Sequence, residues 1–133
     1  MNAIVHLSSL FINKLLVWIE GTMDKRVYLK VKIKSLAEEA RIIRKEESRA
    51  RTPELKQSLK HHRKWDVRNE ARATLVAYGY LRGKKLCEIE PKMKNSRFFT
   101  LYVEPRVKAM VDKYGTPEQR TAYSEWKKAN LPS

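Results

Sequence analysis

A mainly α-helical domain with one or two short β-strands and a long central helix is the fold the sequence predicts, on three observations. Helix punctuation recurs along the chain: Ser35-Leu-Ala-Glu38, Thr52-Pro53 and Thr116-Pro117-Glu118-Gln119 read as helix starts, Gly83 and Gly115 as stops. Only four Gly and five Pro occur in 133 residues, too few for a many-turned β-barrel, a collagen-like tract or a Gly-rich phosphate loop. Apolar residues make up 42% and include three Trp, six Tyr and three Phe, which supplies a core for one domain and excludes a disordered polycation.

The elements follow in order. Residues 1–22 form a hydrophobic segment of zero net charge, containing Leu10, Phe11, Leu15 and Trp18. Asn2, His6, Ser9, Asn13 and Glu20 mark a narrow polar stripe on its helical projection. Asn13 and Lys14 count against a membrane span, and no clean signal-peptide pattern is present, so membrane contact is the lesser reading. Packing on the body, or on a second copy through residues 4–19, is the greater. The abrupt change in composition also fits Met23 as the natural start. Residues 23–133 make the single basic domain, beginning with strict alternation over 27–34: Val27, Leu29, Val31 and Ile33 against Tyr28, Lys30, Lys32 and Lys34. That period predicts a half-buried strand. The Ser35 capping box opens a helix to about residue 51, and Thr52-Pro53 opens the central helix, 53–82, whose second half is apolar nearly all round. Leu86 and Ile89 fit a short turn closed by Pro91; 97–103 (Arg-Phe-Phe-Thr-Leu-Tyr-Val) reads as a second strand; helices follow over 105–114 and 117–129.

Charge points to a class of partner. Lys and Arg number 29 against 15 Asp and Glu, a formal net charge of +14. Lys56, Lys60, Lys64, Arg68 and Arg72 recur every four residues, which lays a slowly winding stripe along one side of the central helix, with Arg63 beside it. Such a stripe can follow a phosphate backbone and release its counterions. The plainer account is a solvated face partly neutralised by Glu54, Asp66 and Glu70. Lys84, Lys85, Lys92 and Lys94 extend the basic set, and Phe98, Phe99 and Tyr102 after them offer either base stacking or core. The run from Tyr80 to Ile89 also has the outline of a helix-turn-helix, although Pro91 shortens its second helix.

Chemistry beyond binding finds little support. His62, Asp66 and Glu70 rise on one helical face and resemble a metal set, but a histidine paired to Asp66 in a polar patch between packed helices is the stronger reading and sufficient to explain the spacing. No metal, cofactor or catalytic residue is assigned. Cys87, the one cysteine, has no base partner in any recognisable motif, and no Walker, nucleophile-elbow or zinc-protease pattern occurs. With no disulfide to form, a reducing cytoplasm is the default setting.

The stretch Val31-Lys-Ile-Lys-Ser-Leu-Ala-Glu-Glu-Ala-Arg-Ile-Ile-Arg-Lys-Glu-Glu47, with Val67-Arg-Asn-Glu-Ala-Arg72 and Ala77-Tyr-Gly-Tyr-Leu-Arg-Gly83, resembles small basic accessory proteins of tailed bacteriophages, over roughly residues 27–91. The resemblance implies a bacterial cytoplasm and an accessory role, and carries no functional residues with it. Two functions stand. One is non-enzymatic binding of DNA, RNA or a nucleoprotein complex; the other is a protein-interaction module that inhibits or redirects a host enzyme or defence complex through an acidic surface.

Overall fold

The computed structural model describes residues 25–131, and all regular structure within them is helical. The first helix, α1 (Lys25–Arg49), turns at Thr52 into α2 (Pro53–His61), which continues through a π-helical stretch (His62–Val67) into α3 (Arg68–Leu81). After Gly83 come a single turn, α4 (Leu86–Ile89), and a 3-10 turn (Pro91–Met93). A second π-helical stretch (Phe99–Val103) leads directly into α5 (Glu104–Tyr114), and α6 (Pro117–Asn130) closes the described chain. The chain divides into two compact units, with the boundary between Ala71 and Arg72, inside α3. The hydrophobic segment 1–22 and its suggested self-association lie outside the described residues.

In the first unit, α1 and α2 form an antiparallel hairpin. Thr52 caps α2 as its sequence predicts, its hydroxyl accepting from the Leu55 amide at 3.2 Å, with Pro53 in the first turn. The expected strand over 27–34 is helix instead. Its four alternating apolar residues do not share a face: Leu29 is fully buried, Val31 and Ile33 are half-buried, and Val27 is 46% exposed. What decides the conformation is the continuation, because Leu29, Leu36 and Ile43 recur every seven residues and are all buried, a helical seam that a strand could not prolong. Ser35-Leu-Ala-Glu38 therefore caps nothing; it lies ten residues inside α1, and Glu38 pairs with Arg41 on the exposed side.

Leu36 and Ile43 meet Val67, with Leu59 and Ala71 packed around them. On the second helix of the hairpin the inward residues Leu55, Leu59, Arg63, Val67 and Ala71 recur every four positions, and all are buried or half-buried. A spacing of four on an α-helix of 3.6 residues per turn drifts by roughly 40° at each step. The π stretch absorbs that drift: its wider turn, closed by the Arg68 amide donating to the Arg63 carbonyl five residues back, keeps Arg63 and Val67 on the side facing α1. Arg63 then reaches Glu47, its Nε donating to one carboxylate oxygen at 2.6 Å and its Nη2 to the other at 3.2 Å. Both side chains are at most 15% exposed, and the carboxylate beside it holds the guanidinium above its usual pKa range. Lys32 of α1 donates to Glu70 at 2.7 Å, a second tie in the same unit.

The second unit repeats the device. Phe99, Val103, Val107 and Val111 are spaced by four and all are 3% exposed or less. The expected strand over 97–103 is the π stretch that makes this spacing possible. Pro105 has no amide to give the Leu101 carbonyl, and the Glu104 amide donates to Phe99 instead. Ser96 starts this helix, its hydroxyl accepting from the Phe99 amide at 3.2 Å. At α6 the capping box forms as its sequence predicts: the Gln119 amide donates to the Thr116 hydroxyl at 3.2 Å and the Thr116 amide to the Gln119 side chain at 3.0 Å. Tyr123, 2% exposed, donates its hydroxyl to buried Glu104 at 2.8 Å, and Lys127 approaches the other oxygen at 3.2 Å. Burial, and then the Glu104 charge, push the Tyr123 phenol far above its ordinary pKa.

Gly83 stops α3 in the left-handed conformation, φ 96°, in a Schellman arrangement: its amide donates to Tyr80 and that of Lys84 to Gly79. Gly115 is the C-cap of α5, where the backbone turns extended (φ −79°, ψ 158°), and it excludes a side chain for want of space, since a Cβ there would lie 2.6 Å from the Val111 carbonyl oxygen.

Two outcomes follow for stability. Glu47→Gln leaves the Arg63 guanidinium short of its charged acceptor and should lower stability by about 1–3 kcal/mol in urea unfolding, whereas Glu38→Gln on the exposed side leaves the midpoint where it was. Gly115→Ala meets backbone rather than a flexible side chain, and should cost about 1–3 kcal/mol by overpacking in the same measurement.

Candidate nucleic-acid interface

The five cations of the stripe follow the inward row of the hairpin by one residue each: Leu55 and Lys56, Leu59 and Lys60, Arg63 and Lys64, Val67 and Arg68, Ala71 and Arg72. They therefore share its four-residue spacing and occupy one flank of the helix. Lys56, Lys64 and Arg68 are exposed, Lys60 and Arg72 half-buried. Without the π stretch, five residues at this spacing would wind through roughly 160°. The wider turn holds them closer to one line.

Acidic neighbours do little to cancel this row. Of the carboxylates suited to neutralise it, Glu70 is bound to Lys32 and Asp66 accepts from His62 Nδ1 at 2.8 Å; Glu54 alone stands exposed beside the start of α2 without such a bond among the described residues. Glu39, Glu46 and Glu47 of α1 are each 9% exposed or less. None of the five stripe cations is ion-paired to a described residue. Arg63, placed with them by its sequence position, is held inside the hairpin by Glu47 and acts there as a structural tie.

Two ring side chains lie in the adjoining row, each one residue after a cation of the stripe. His61 and Trp65, one helical turn apart, have ring centroids 6.0 Å apart, and Trp65 is 39% exposed. Charge spacing draws attention to the lysines alone; the i, i+4 placement of two rings within the basic run is the signal for these two.

In the second unit, Lys84 and Lys85 are exposed on the turn after Gly83, where they border a cleft, and Lys92 and Lys94 are exposed around the 3-10 turn. The helix-turn-helix outline is reduced to a helix, the Gly83 turn and the four residues of α4, one helical turn, too short to lie along a major groove. Among the aromatics, Phe99 is core, while Phe98 and Tyr102 are 39% and 46% exposed with ring centroids 5.1 Å apart. Cys87 is exposed and unpaired with any other thiol.

His62, Asp66 and Glu70 do not converge. His62 bonds to Asp66 and approaches Glu39 at 3.9 Å, and Glu70 turns to Lys32. Among the described residues no group of three or more His, Cys, Asp and Glu is placed to hold a metal ion. No described helix is long and apolar enough to cross a membrane.

Fold and site together define a basic, helical protein with a cationic flank. No protein-family model, curated protein or solved structure matches the chain.

Since the three residues do not meet, zinc, manganese and magnesium should leave the thermal melting curve unmoved. Asp66→Asn, which weakens an exposed pair, should cost only a few tenths of a kcal/mol, without changing the response to any of the three cations. A saturable rise in melting temperature that Asp66→Asn abolishes would reverse this assignment.

Proposed function

We propose that this protein binds nucleic acid, or a nucleoprotein complex, without catalysing a reaction, through the flank of α2 and α3 that carries Lys56, Lys60, Lys64, Arg68 and Arg72. One observation carries the proposal: these five cations lie along one flank, three of them exposed and two half-buried, and none is ion-paired to a described residue, while three carboxylates of α1 are buried. The side chains facing water are thus more basic than the composition of the hairpin. A row of cations at regular spacing matches the regular charge of a phosphate backbone and draws its affinity from counterion release, which is indifferent to base sequence. Lys84, Lys85, Lys92 and Lys94 add a second basic set in the other unit. The accessory role in a bacterial cytoplasm that the phage resemblance implies belongs to the same reading.

Docking to an acidic protein surface is the competing function, and salt dependence separates the two. Replacing Lys56, Lys64 and Arg68 together with Gln should weaken binding to duplex DNA equally for unrelated sequences. It should also flatten the plot of log K against log salt by about 0.9 for each phosphate that is no longer neutralised. Circular dichroism on the triple variant checks that the exposed substitutions leave the helices intact. Unchanged affinity and slope would end the proposal, and tighter binding to an acidic protein control than to either DNA or RNA would replace it with the protein-docking function.

A further inference from the structure

In the second unit, the turn after Gly83 and the first half of α6 border a cleft of about 550 Å³. That volume lies within the roughly 300–1,000 Å³ of small-ligand sites. Tyr80, Leu86, Cys87, Ala122 and Trp126 give it mainly apolar walls, with Lys84 and Lys85 on one side and Glu118 on the other element. Its interior polar groups are already committed. The Tyr80 hydroxyl donates to the Gln119 carbonyl at 2.8 Å; the Gln119 side chain donates to the Leu81 carbonyl at 3.1 Å and accepts from the Thr116 amide at 3.0 Å. Tyr80 stays protonated, since burial raises its pKa. Trp126 is stacked on buried Tyr123 with ring centroids 6.3 Å apart, which fixes the indole in place.

What remains for a ligand is ring surface, a methyl and a thiol wall, and two ammonium groups at the mouth. The complement is a flat, largely apolar ring carrying an anion, with the anion directed to the lysines and away from the Glu118 carboxylate. We propose that the cleft receives one unpaired base of a single-stranded nucleic acid, its phosphate resting on Lys84 and Lys85. This proposal rests on the nucleic-acid reading of the basic flank and adds to it a preference for strands with unstacked bases. With the cleft's own hydrogen-bonding groups engaged internally, recognition runs through stacking and apolar contact, which every base satisfies. A duplex, whose bases are already paired and stacked, has nothing to insert.

Cys87 makes the occupancy measurable, because it is the one cysteine of the chain, exposed, and part of the cleft wall. The rate at which a thiol reagent labels the full-length protein is compared without nucleic acid and with saturating oligothymidylate, an abasic strand of equal length, and duplex DNA, with binding followed in parallel by anisotropy. Strands of about twelve nucleotides suit such a site. Oligothymidylate should slow labelling about tenfold, as a base in the cleft covers the thiolate's approach. The abasic strand and the duplex should bind with the labelling rate unchanged. Ala122→Phe fills the cleft from an exposed position and should remove the effect of oligothymidylate while leaving duplex affinity as it was. Labelling unaffected by bound oligothymidylate, or slowed equally by the abasic strand, overturns the cleft proposal alone. Absence of binding by all three nucleic acids overturns the nucleic-acid reading and the cleft with it.

Discussion

Two helices of this protein bury residues spaced by four, and an α-helix cannot keep such a row on one side. Leu55 to Ala71 in the first unit and Phe99 to Val111 in the second both impose it. In each case a π-helical stretch supplies the extra residue per turn. The hydrogen bonds of a π turn are less favourable than those of an α turn, and the offsetting gain is burial: Val67, Phe99 and Val103 are each 4% exposed or less. Apolar burial at a non-α period is thus the constraint to which the backbone yields. The position of Arg63 against Glu47, and of the whole cationic row beside it, depends on that concession.

Electrostatics in the first unit is sorted by depth. Glu39, Glu46 and Glu47 of α1 go inward, where Glu47 is matched by the Arg63 fork, while Glu38 stays exposed beside Arg41 and most of the lysines go outward. A buried pair of this kind adds little net stability over an apolar pair but penalises any other register of the two helices, because a one-residue slip would leave a charge without its partner. The same arrangement keeps acid away from the flank on which a phosphate backbone would lie, so the tie that orders the hairpin also preserves its external field.

Much of the helical punctuation was legible in the sequence. Thr52, Gly83 and the Thr116–Gln119 box act locally, through one or two hydrogen bonds to their own backbone, and sequence spacing is enough to find them. Both strand expectations failed for a shared reason. Over 27–34 the pattern looks period-two, and 97–103 is dense in aromatic and β-branched residues; only residues beyond each window, Leu36 and Ile43 in one case and Val107 and Val111 in the other, reveal the longer helical rhythm. At the basic flank the four-residue spacing was visible, but the commitment of Arg63 to Glu47 was not, since it joins residues sixteen positions apart across the hairpin. The cleft was invisible for the same reason: Tyr80 and Trp126 come together only through tertiary packing.

A π turn also holds one residue more than an α turn needs, so it behaves as an absorbed insertion. Removal of one residue among 64–66 would let the stretch relax into an uninterrupted α-helix with Val67 still on the side of Leu59, because seven α steps return close to the starting direction. Relaxation to α with the residue count unchanged would instead turn the residues that follow by roughly 100° and carry Val67 away from Ile43. In evolutionary terms the stretch is a place where a single-codon deletion is tolerated by the packing, whereas the same deletion in the regular turns on either side of it would rewrite which residues are inside and which are out.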